Sequence, residues 1–169
     1  SNIGLGANAV DSITTGDYNV GLGDNALTAN TTGSAHVAVG FEALKDNTTG
    51  SSNMAVGYKA MYTNTTGGAN IGLGYQTLYS NTTGGNNTFI GTNAGLANEG
   101  GGENIAIGRN ANFAGASFSN AIVIGTGVTQ NLGTNTTEIG TTATTKAIVH
   151  GLRTLVNTTA TNVAAARVN

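Results

Sequence analysis

The chain has 169 residues, enough for one ordinary domain or for one rod of stacked repeats. Gly, Thr, Asn and Ala make up 101 of these residues, only 8% are charged, and Pro, Cys and Trp are absent. The net charge of −2 excludes the positive surface that binding to a nucleic-acid backbone or an anionic membrane requires. The lack of cysteine excludes disulfides, thiolate metal sites and cysteine nucleophiles. No apolar stretch approaches the roughly 20 residues of a membrane helix, so we expect no direct membrane insertion.

An internal repeat of 17 residues runs along most of the chain. Its marker is the pattern Asn, apolar, small, apolar, Gly. The final residue of the pattern is an anchor glycine, which recurs at Gly6, Gly23, Gly40, Gly57, Gly74, Gly91, Gly108 and Gly125. Copies at one constant spacing are typical of a solenoid, in which each repeat forms one structural unit.

The first half of each repeat predicts a β-strand. Large apolar residues stand three and one residues before the anchor glycine, as Met54 and Val56 do before Gly57, and this alternation has the period of a strand. The residue between them is small in six of eight copies, and Phe89 and Val123 break this rule. A stripe of small residues would let another backbone approach that face closely.

The second half of each repeat predicts a return segment and a turn. Leu27, Leu44, Met61 and Leu78 recur at one position of the return segment, and an Asn-Thr-Thr-Gly run follows. Asn and Gly tolerate positive φ, and threonine hydroxyls can satisfy local backbone groups, so this run indicates a turn. It also matches the glycosylation acceptor pattern, but the turn alone explains its recurrence.

We therefore predict an all-β fold, a β-roll or β-solenoid of eight 17-residue coils over residues 1–125, rising about 4.8 Å per coil. Residues 126–169 are predicted to form a neck or stalk connector, with a short strand near 146–150. Each coil offers only about four buriable apolar side chains, and the small-residue stripe has no partner within one chain. Both features favour self-association, most simply as a homotrimer.

The strand motif and its small-residue turn, as in Asn53-Met54-Ala55-Val56-Gly57 and His36-Val37-Ala38-Val39-Gly40, resemble the head repeats of trimeric autotransporter adhesins. The 17-residue coil is longer than is usual in that family and is more similar to the long-repeat variant in phage tail-fibre-like adhesive trimers, including those of predatory bacteria. The resemblance covers residues 2–125. It implies a parallel homotrimer of left-handed β-rolls, located outside the cell or on its surface, that adheres to a glycan or protein receptor.

The aromatic residues fall in register along the repeat. Phe41, Tyr58 and Tyr75 follow the anchor glycine in three consecutive coils, and Tyr62 and Tyr79 lie four residues further on in two of them. Because aromatic surfaces suit the C–H faces of sugar rings, these five residues are the candidate ligand-binding residues. The favoured alternative is that they pack between coils or between protomers.

A column of amides occupies the position before each strand. It comprises Asn2, Asn19, Asn53, Asn70, Asn87 and Asn104, with His36 in place of one amide. Side-chain amides stacked along a solenoid can bond to one another and cap turns, so we predict a structural role, with His36 as a hydrogen-bonding substitute. The predicted structural set is Asn19, His36, Asn53, Asn70 and the anchor glycines Gly23, Gly40, Gly57 and Gly74.

The scattered titratable residues predict no enzyme, no cofactor and no metal site. There are two histidines, His36 and His150, and eight acidic residues spread over distant coils. The irregular segments 95–103 and 112–120 are second candidates for recognition, because binding often lies on loops held by a rigid scaffold. The alternative functions are a structural spacer whose receptor-binding tip lies elsewhere and, less favoured, ice binding by paired threonines such as Thr31 and Thr32. Adjacent threonines on a strand point to opposite sides, which weakens the ice-binding interpretation.

Overall fold

The computed structural model describes residues 1–130 and 133–140, and within them the chain is a parallel β-solenoid of about eight turns without any helix. This confirms the predicted all-β solenoid. None of the described residues forms a helix that is long and apolar enough to cross a membrane. The strands are β1 (Ile3–Leu5), β2 (Val20–Leu22), β3 (Val37–Val39), β4 (Met54–Val56), β5 (Ile71–Leu73), β6 (Thr88–Ile90), β7 (Ile105–Ile107), β8 (Asn112–Phe113), β9 (Ile122–Ile124), β10 (Thr129–Gln130) and β11 (Thr137–Ile139).

Every strand pairs in parallel with its equivalent in the next coil. One sheet holds nine strands in the order β1-β2-β3-β4-β5-β6-β7-β9-β11, and β8 pairs with β10 in a second sheet. The register follows the repeat, so that Ala38 lies opposite Ala55 and Ala55 lies opposite Gly72. The last two strands of the sheet, β9 and β11, pair Thr137 with Ile122, so their offset is 15 residues and not 17. The sheet thus continues beyond residue 125, into the segment predicted as a neck, whereas the strand predicted near 146–150 lies outside the described residues.

The anchor glycines allow the coils to stack closely after each strand. Gly23 has a φ of +133°, and a Cβ on it would lie 2.6 Å from the carbonyl oxygen of Gly40 in the next coil. Any side chain at this position would therefore collide with backbone that the sheet holds in place. The repeating glycine is required both by the turn and by the contact between coils.

The strands turn their small residues inward and their large residues outward. The middle residue of β2 to β7 and of β9 is buried, as Ala38 and Ala55 are, whereas the residues on either side are half-buried or exposed. The small-residue stripe therefore already has its partner within the chain. It faces the solenoid interior, and the sequence-based assignment of this stripe to association was wrong.

The return segment supplies the large side chains of the core. Leu27, Leu44, Met61 and Leu78 are fully buried and lie across the interior from the small strand residues. Their backbone has positive φ, for example 51° at Leu44, and this turns each side chain inward from a tight bend. The interior is narrow, because each coil combines one large core residue with one small strand residue.

Phe89 breaks the small-residue rule because the large and small positions are exchanged in its coil. Phe89 is fully buried at the small strand position, and Gly95 occupies the position that Leu78 holds one coil earlier. A Cβ on Gly95 would overlap the Phe89 ring. The two substitutions compensate in volume, and the ring of Phe113 packs 5.7 Å from that of Phe89 to extend the core into the next coil.

The predicted amide column is present inside the solenoid. Asn53 is typical: its Oδ1 accepts from the backbone N–H of Asn70 at 2.9 Å, and its Nδ2 donates to the carbonyl oxygen of Gly67 at 2.8 Å. His36 makes the same two contacts with its ring. The Asn53 N–H donates to Nδ1 at 3.2 Å, so the proton lies on Nε2, which donates to the Gly50 oxygen at 2.7 Å.

A second buried amide column comes from the Asn-Thr-Thr-Gly turns. Asn64 Nδ2 donates both to Asn47 Oδ1 at 2.8 Å and to the carbonyl oxygen of Gly67 at 2.9 Å. The same pattern recurs at Asn47, Asn81 and Asn98, and Asn30 begins the column by donating to the Gly33 carbonyl oxygen and accepting from Asn47. Sequence reasoning had assigned these residues to turns only, although their 17-residue spacing was a signal. Their complete burial leaves no room for a glycan on these asparagines in the folded chain.

The exchange of volume in the sixth coil predicts a compensating pair of mutations. Phe89→Ala alone leaves a cavity and should lower the free energy of unfolding by about 3–5 kcal/mol, and Gly95→Leu alone should destabilise by overlap. The double variant restores the arrangement of the Leu78 coil and should be more stable than either single variant. Urea denaturation of all four proteins measures this coupling. Additive losses in the double variant would contradict the proposed compensation.

The contacts of His36 predict a pH-dependent stability. Burial lowers the pKa of His36 below its usual value, against the opposing effect of the hydrogen bonds with Gly50 and Asn53. The unfolded chain then binds a proton that the folded chain does not, so stability is complete above pH about 6.5 and falls as the pH drops below that value. His36→Asn restores the amide and should flatten the profile. Chemical denaturation at pH 7.5 and 5.5 tests this, and His150, which both proteins retain, cancels in the comparison. Equal pH dependence in the two proteins would contradict it.

Candidate functional site

The outer face of the nine-stranded sheet is a continuous apolar surface, called the apolar face below. Each strand contributes the two outward residues that flank its inward one. Its columns comprise Ile3, Val20, Val37, Met54, Ile71, Thr88, Ile105, Ile122 and Thr137, and Leu5, Leu22, Val39, Val56, Leu73, Ile90, Ile107, Ile124 and Ile139. Of these 18 positions only two hold threonine and none is charged.

The apolar face is uncovered in the described part of the chain. Met54, Ile71, Ile90 and Ile107 are 37–40% exposed even though each has neighbours on both sides along the column. An extended apolar surface of this kind is rare on a monomer and is typical of an interaction site. Sequence reasoning found these residues but counted them as core, because alternation shows which residues share a face and does not show which face is inside.

The five predicted aromatic residues form two stacked columns on the solenoid surface. The Phe41, Tyr58 and Tyr75 rings lie with centroids 5.5 Å and 5.1 Å apart and nearly parallel planes, and the Tyr62 and Tyr79 rings stack at 5.2 Å. The first column is 40–48% exposed, and the second is half-buried. The structure thus brings all five together, and they pack between coils while part of each ring stays open to solvent. Ligand binding by these residues stays a prediction.

A small charged cluster joins the two aromatic columns. Glu42 accepts from Lys45 at 3.3 Å and from Lys59 at 3.2 Å. The Lys59 Nζ lies 5.4 Å from the Tyr58 ring centroid and 5.2 Å from the Tyr62 centroid, so it bridges the columns. The five aromatic residues together with Glu42, Lys45 and Lys59 are called the aromatic patch below. Sequence reasoning missed Glu42.

Mutual pairing keeps the ionisable groups of the aromatic patch charged. Burial acts to raise the pKa of Glu42, but hydrogen bonds from Lys59 and Lys45 outweigh it and hold that pKa below its usual value. The pKa of Lys45 is raised, first by the hydrogen bond to the Tyr62 hydroxyl and then by the one to Glu42. Lys59 also has a raised pKa, chiefly because of its hydrogen bond to Glu42. The patch is therefore polar, with its carboxylate partly compensating its two cations.

The irregular segments 95–103 and 112–120 are neighbours within the stack. The Glu99 N–H donates to the Ala116 carbonyl oxygen at 2.8 Å, and the Gly102 N–H donates to Ser119 Oγ at 3.1 Å. Asn112 and Phe113 form β8. Both segments thus keep the contacts of ordinary coils, and their role in recognition stays a prediction.

The paired threonines of each turn face different surroundings, as expected for adjacent residues. Thr31 Oγ1 donates to the Thr48 carbonyl oxygen at 3.0 Å, and the same bond recurs from coil to coil. Thr32 and its equivalents Thr15, Thr49, Thr66 and Thr83 are exposed in a single column. One column is narrower than the flat array of threonines that ice binding requires.

The described residues hold no cluster of three or more His, Asp or Glu side chains placed to bind a metal ion. Over 1–130 and 133–140 the surface also has no pocket. The candidate interaction surfaces are therefore the apolar face and the aromatic patch, both of which run parallel to the solenoid axis. Comparisons with protein families, curated proteins and solved structures gave no match to the chain.

Proposed function

We propose that the chain is a non-enzymatic extracellular fibre or adhesin head that assembles as a parallel homotrimer and attaches to a surface glycan. The uncovered apolar face is the observation that carries this proposal. It supplies the association surface, and the aromatic patch supplies the attachment surface. The resemblance of the repeat to trimeric adhesin heads supports the cell-surface location and the number of three chains.

The energetics of the apolar face favour self-association. Full burial of one Val, Leu or Ile side chain is worth about 1.5–3 kcal/mol, and this face repeats such a pair in nearly every coil. A second copy of the chain offers a surface of the same length, spacing and apolar character. In a parallel assembly around the long axis, each coil contacts the equivalent coil of the neighbouring chains. Such an assembly has rotational symmetry and is therefore closed.

A structural spacer is the second candidate function. The regular hydrogen bonding between coils favours it, because this bonding makes the described chain a continuous rod whether or not it binds a ligand. A spacer and an adhesin head share the apolar face and the trimer. They differ in whether the aromatic patch and the irregular segments contact anything outside the protein.

The trimer is tested by molar mass in solution. Light scattering coupled to size exclusion should give about 50 kDa, three times the 16.7 kDa of one chain. Ile71→Lys with Ile107→Lys places two charges on the apolar face and should shift the mass to about 17 kDa, since burying unpaired ammonium groups is costly. The matched control, Thr66→Lys with Thr83→Lys, lies on the exposed threonine column and should leave the trimer intact.

Three results would count against this assembly. A wild-type mass near that of one chain would contradict self-association. A mass of two chains would contradict the trimer and point to face-to-face pairing of sheets. Loss of the trimer in the threonine control as well as in the isoleucine variant would show that added charge, and not the apolar face, controls assembly.

Attachment is tested with immobilised glycans of several classes. The wild-type trimer should bind at least one class, because the first aromatic column of each chain is 40–48% exposed. A trimer of the expected mass that binds no glycan would contradict the adhesin proposal and favour the spacer.

A further inference from the structure

We propose that the aromatic patch binds an extended, neutral, β-1,4-linked polysaccharide lying parallel to the solenoid axis, with one sugar unit per coil. The inference rests on the proposed attachment function and specifies its ligand class and orientation. It depends on the spacing of the aromatic rings, on which parts of the rings are accessible to solvent, and on the balance of charge between the neighbouring Glu42, Lys45 and Lys59.

The faces of the stacked rings are not available to a sugar. Tyr58 and Tyr75 lie 5.1 Å apart, whereas inserting a further ring between them needs about 7 Å, twice a carbon–carbon contact distance of about 3.5 Å. The parallel sheet fixes the coil rise near 4.8 Å, so the gap does not open without separating strands. What the columns present to solvent is ring edges, tyrosine hydroxyls and the neighbouring lysines.

The hydroxyls of the aromatic patch are partly free to bond a ligand. Tyr62 accepts a hydrogen bond from Lys45 Nζ at 3.1 Å. Among the described residues, the Tyr75 and Tyr79 hydroxyls have no hydrogen-bond partner. Each tyrosine can both donate and accept, which matches the hydroxyl groups of a sugar.

The spacing of the columns matches an extended glycan. The ring centroids recur every 5.1–5.5 Å, which is close to the length of one sugar unit in an extended β-1,4-linked chain. Because successive sugars of such a chain are rotated by half a turn, every coil meets a sugar edge that carries hydroxyls, and equivalent hydroxyls recur at every second coil. An α-linked chain is curved, so it departs from the straight direction of the aromatic columns after one or two sugar units.

The charge balance favours a neutral ligand. Glu42 already neutralises one of the two lysine charges and bonds to both ammonium groups. The only other basic residue in positions 1–140 is Arg109, far along the chain, and the whole chain carries a net charge of −2. A polyanion would have to displace Glu42 to gain the lysines, while a neutral sugar can use their remaining N–H groups.

The test uses soluble hexasaccharides and titration calorimetry with the full chain. Cellohexaose or chitohexaose should bind, with affinity rising up to three or four sugars because the longer column spans three coils, whereas maltohexaose should bind at least about tenfold more weakly. The triple variant Tyr58→Phe, Tyr75→Phe and Tyr79→Phe keeps the stacked rings and removes only hydroxyls. It should lose about tenfold or more in affinity. Tyr18→Phe, a tyrosine outside the patch, is the matched control and should bind as the wild type does.

Several outcomes would overturn the inference. Unchanged affinity in the triple variant would mean that the tyrosine hydroxyls do not bond to the sugar, which contradicts the mode of contact proposed here. Stronger, salt-sensitive binding to heparin would identify a polyanion ligand. Failure of both β-linked hexasaccharides, with another glycan class bound by the trimer, would refute this ligand while leaving the proposed function standing. Binding of no glycan by a trimer of the expected mass would refute both.

Discussion

The stacking of repeated coils in register is the constraint on which the rest of the structure depends. Because each strand pairs with its equivalent 17 residues on, every position of the repeat becomes a column along the axis. The close contact between coils demands glycine at the turn, as at Gly23 against Gly40. It also turns the asparagines at one position of the repeat into a hydrogen-bonded ladder and the aromatic residues of three consecutive coils into stacks of rings.

The solenoid replaces much of an ordinary apolar core with hydrogen-bonded amides. Two buried amide columns satisfy backbone groups in every turn, represented by Asn53 and Asn64. This leaves little interior space, so the large strand residues lie outside while small residues such as Ala55 face inward. The narrow interior and the uncovered apolar face are therefore consequences of one arrangement, and the association proposed above would cover that face.

Packing between coils uses only part of each aromatic ring, and the proposed recognition would use the rest. Stacking of Tyr58 on Tyr75 occupies the ring faces and reinforces the contact between coils. Tyr58 remains 40% exposed beside Lys59, which pairs with Glu42. Packing and ligand binding, the two roles that the sequence suggests for these rings, are therefore compatible. A rigid stack of rings would also fix the spacing of the groups that a ligand contacts.

The sequence by itself determined the repeat, the strand positions, the parallel register and the amide column, including the substitution of His36 for an asparagine, because these follow from local spacing and hydrogen-bonding capacity. It did not determine which face of the strand is inside. Met54 and Ala55 point to opposite sides in either case, and only the return segment, which places Met61 in the interior, decides that the small residue faces inward. The pairing of Phe89 with Gly95 and of Glu42 with Lys59 was likewise decided by the tertiary structure, since volume and charge compensate between residues only when the folded chain brings them into contact.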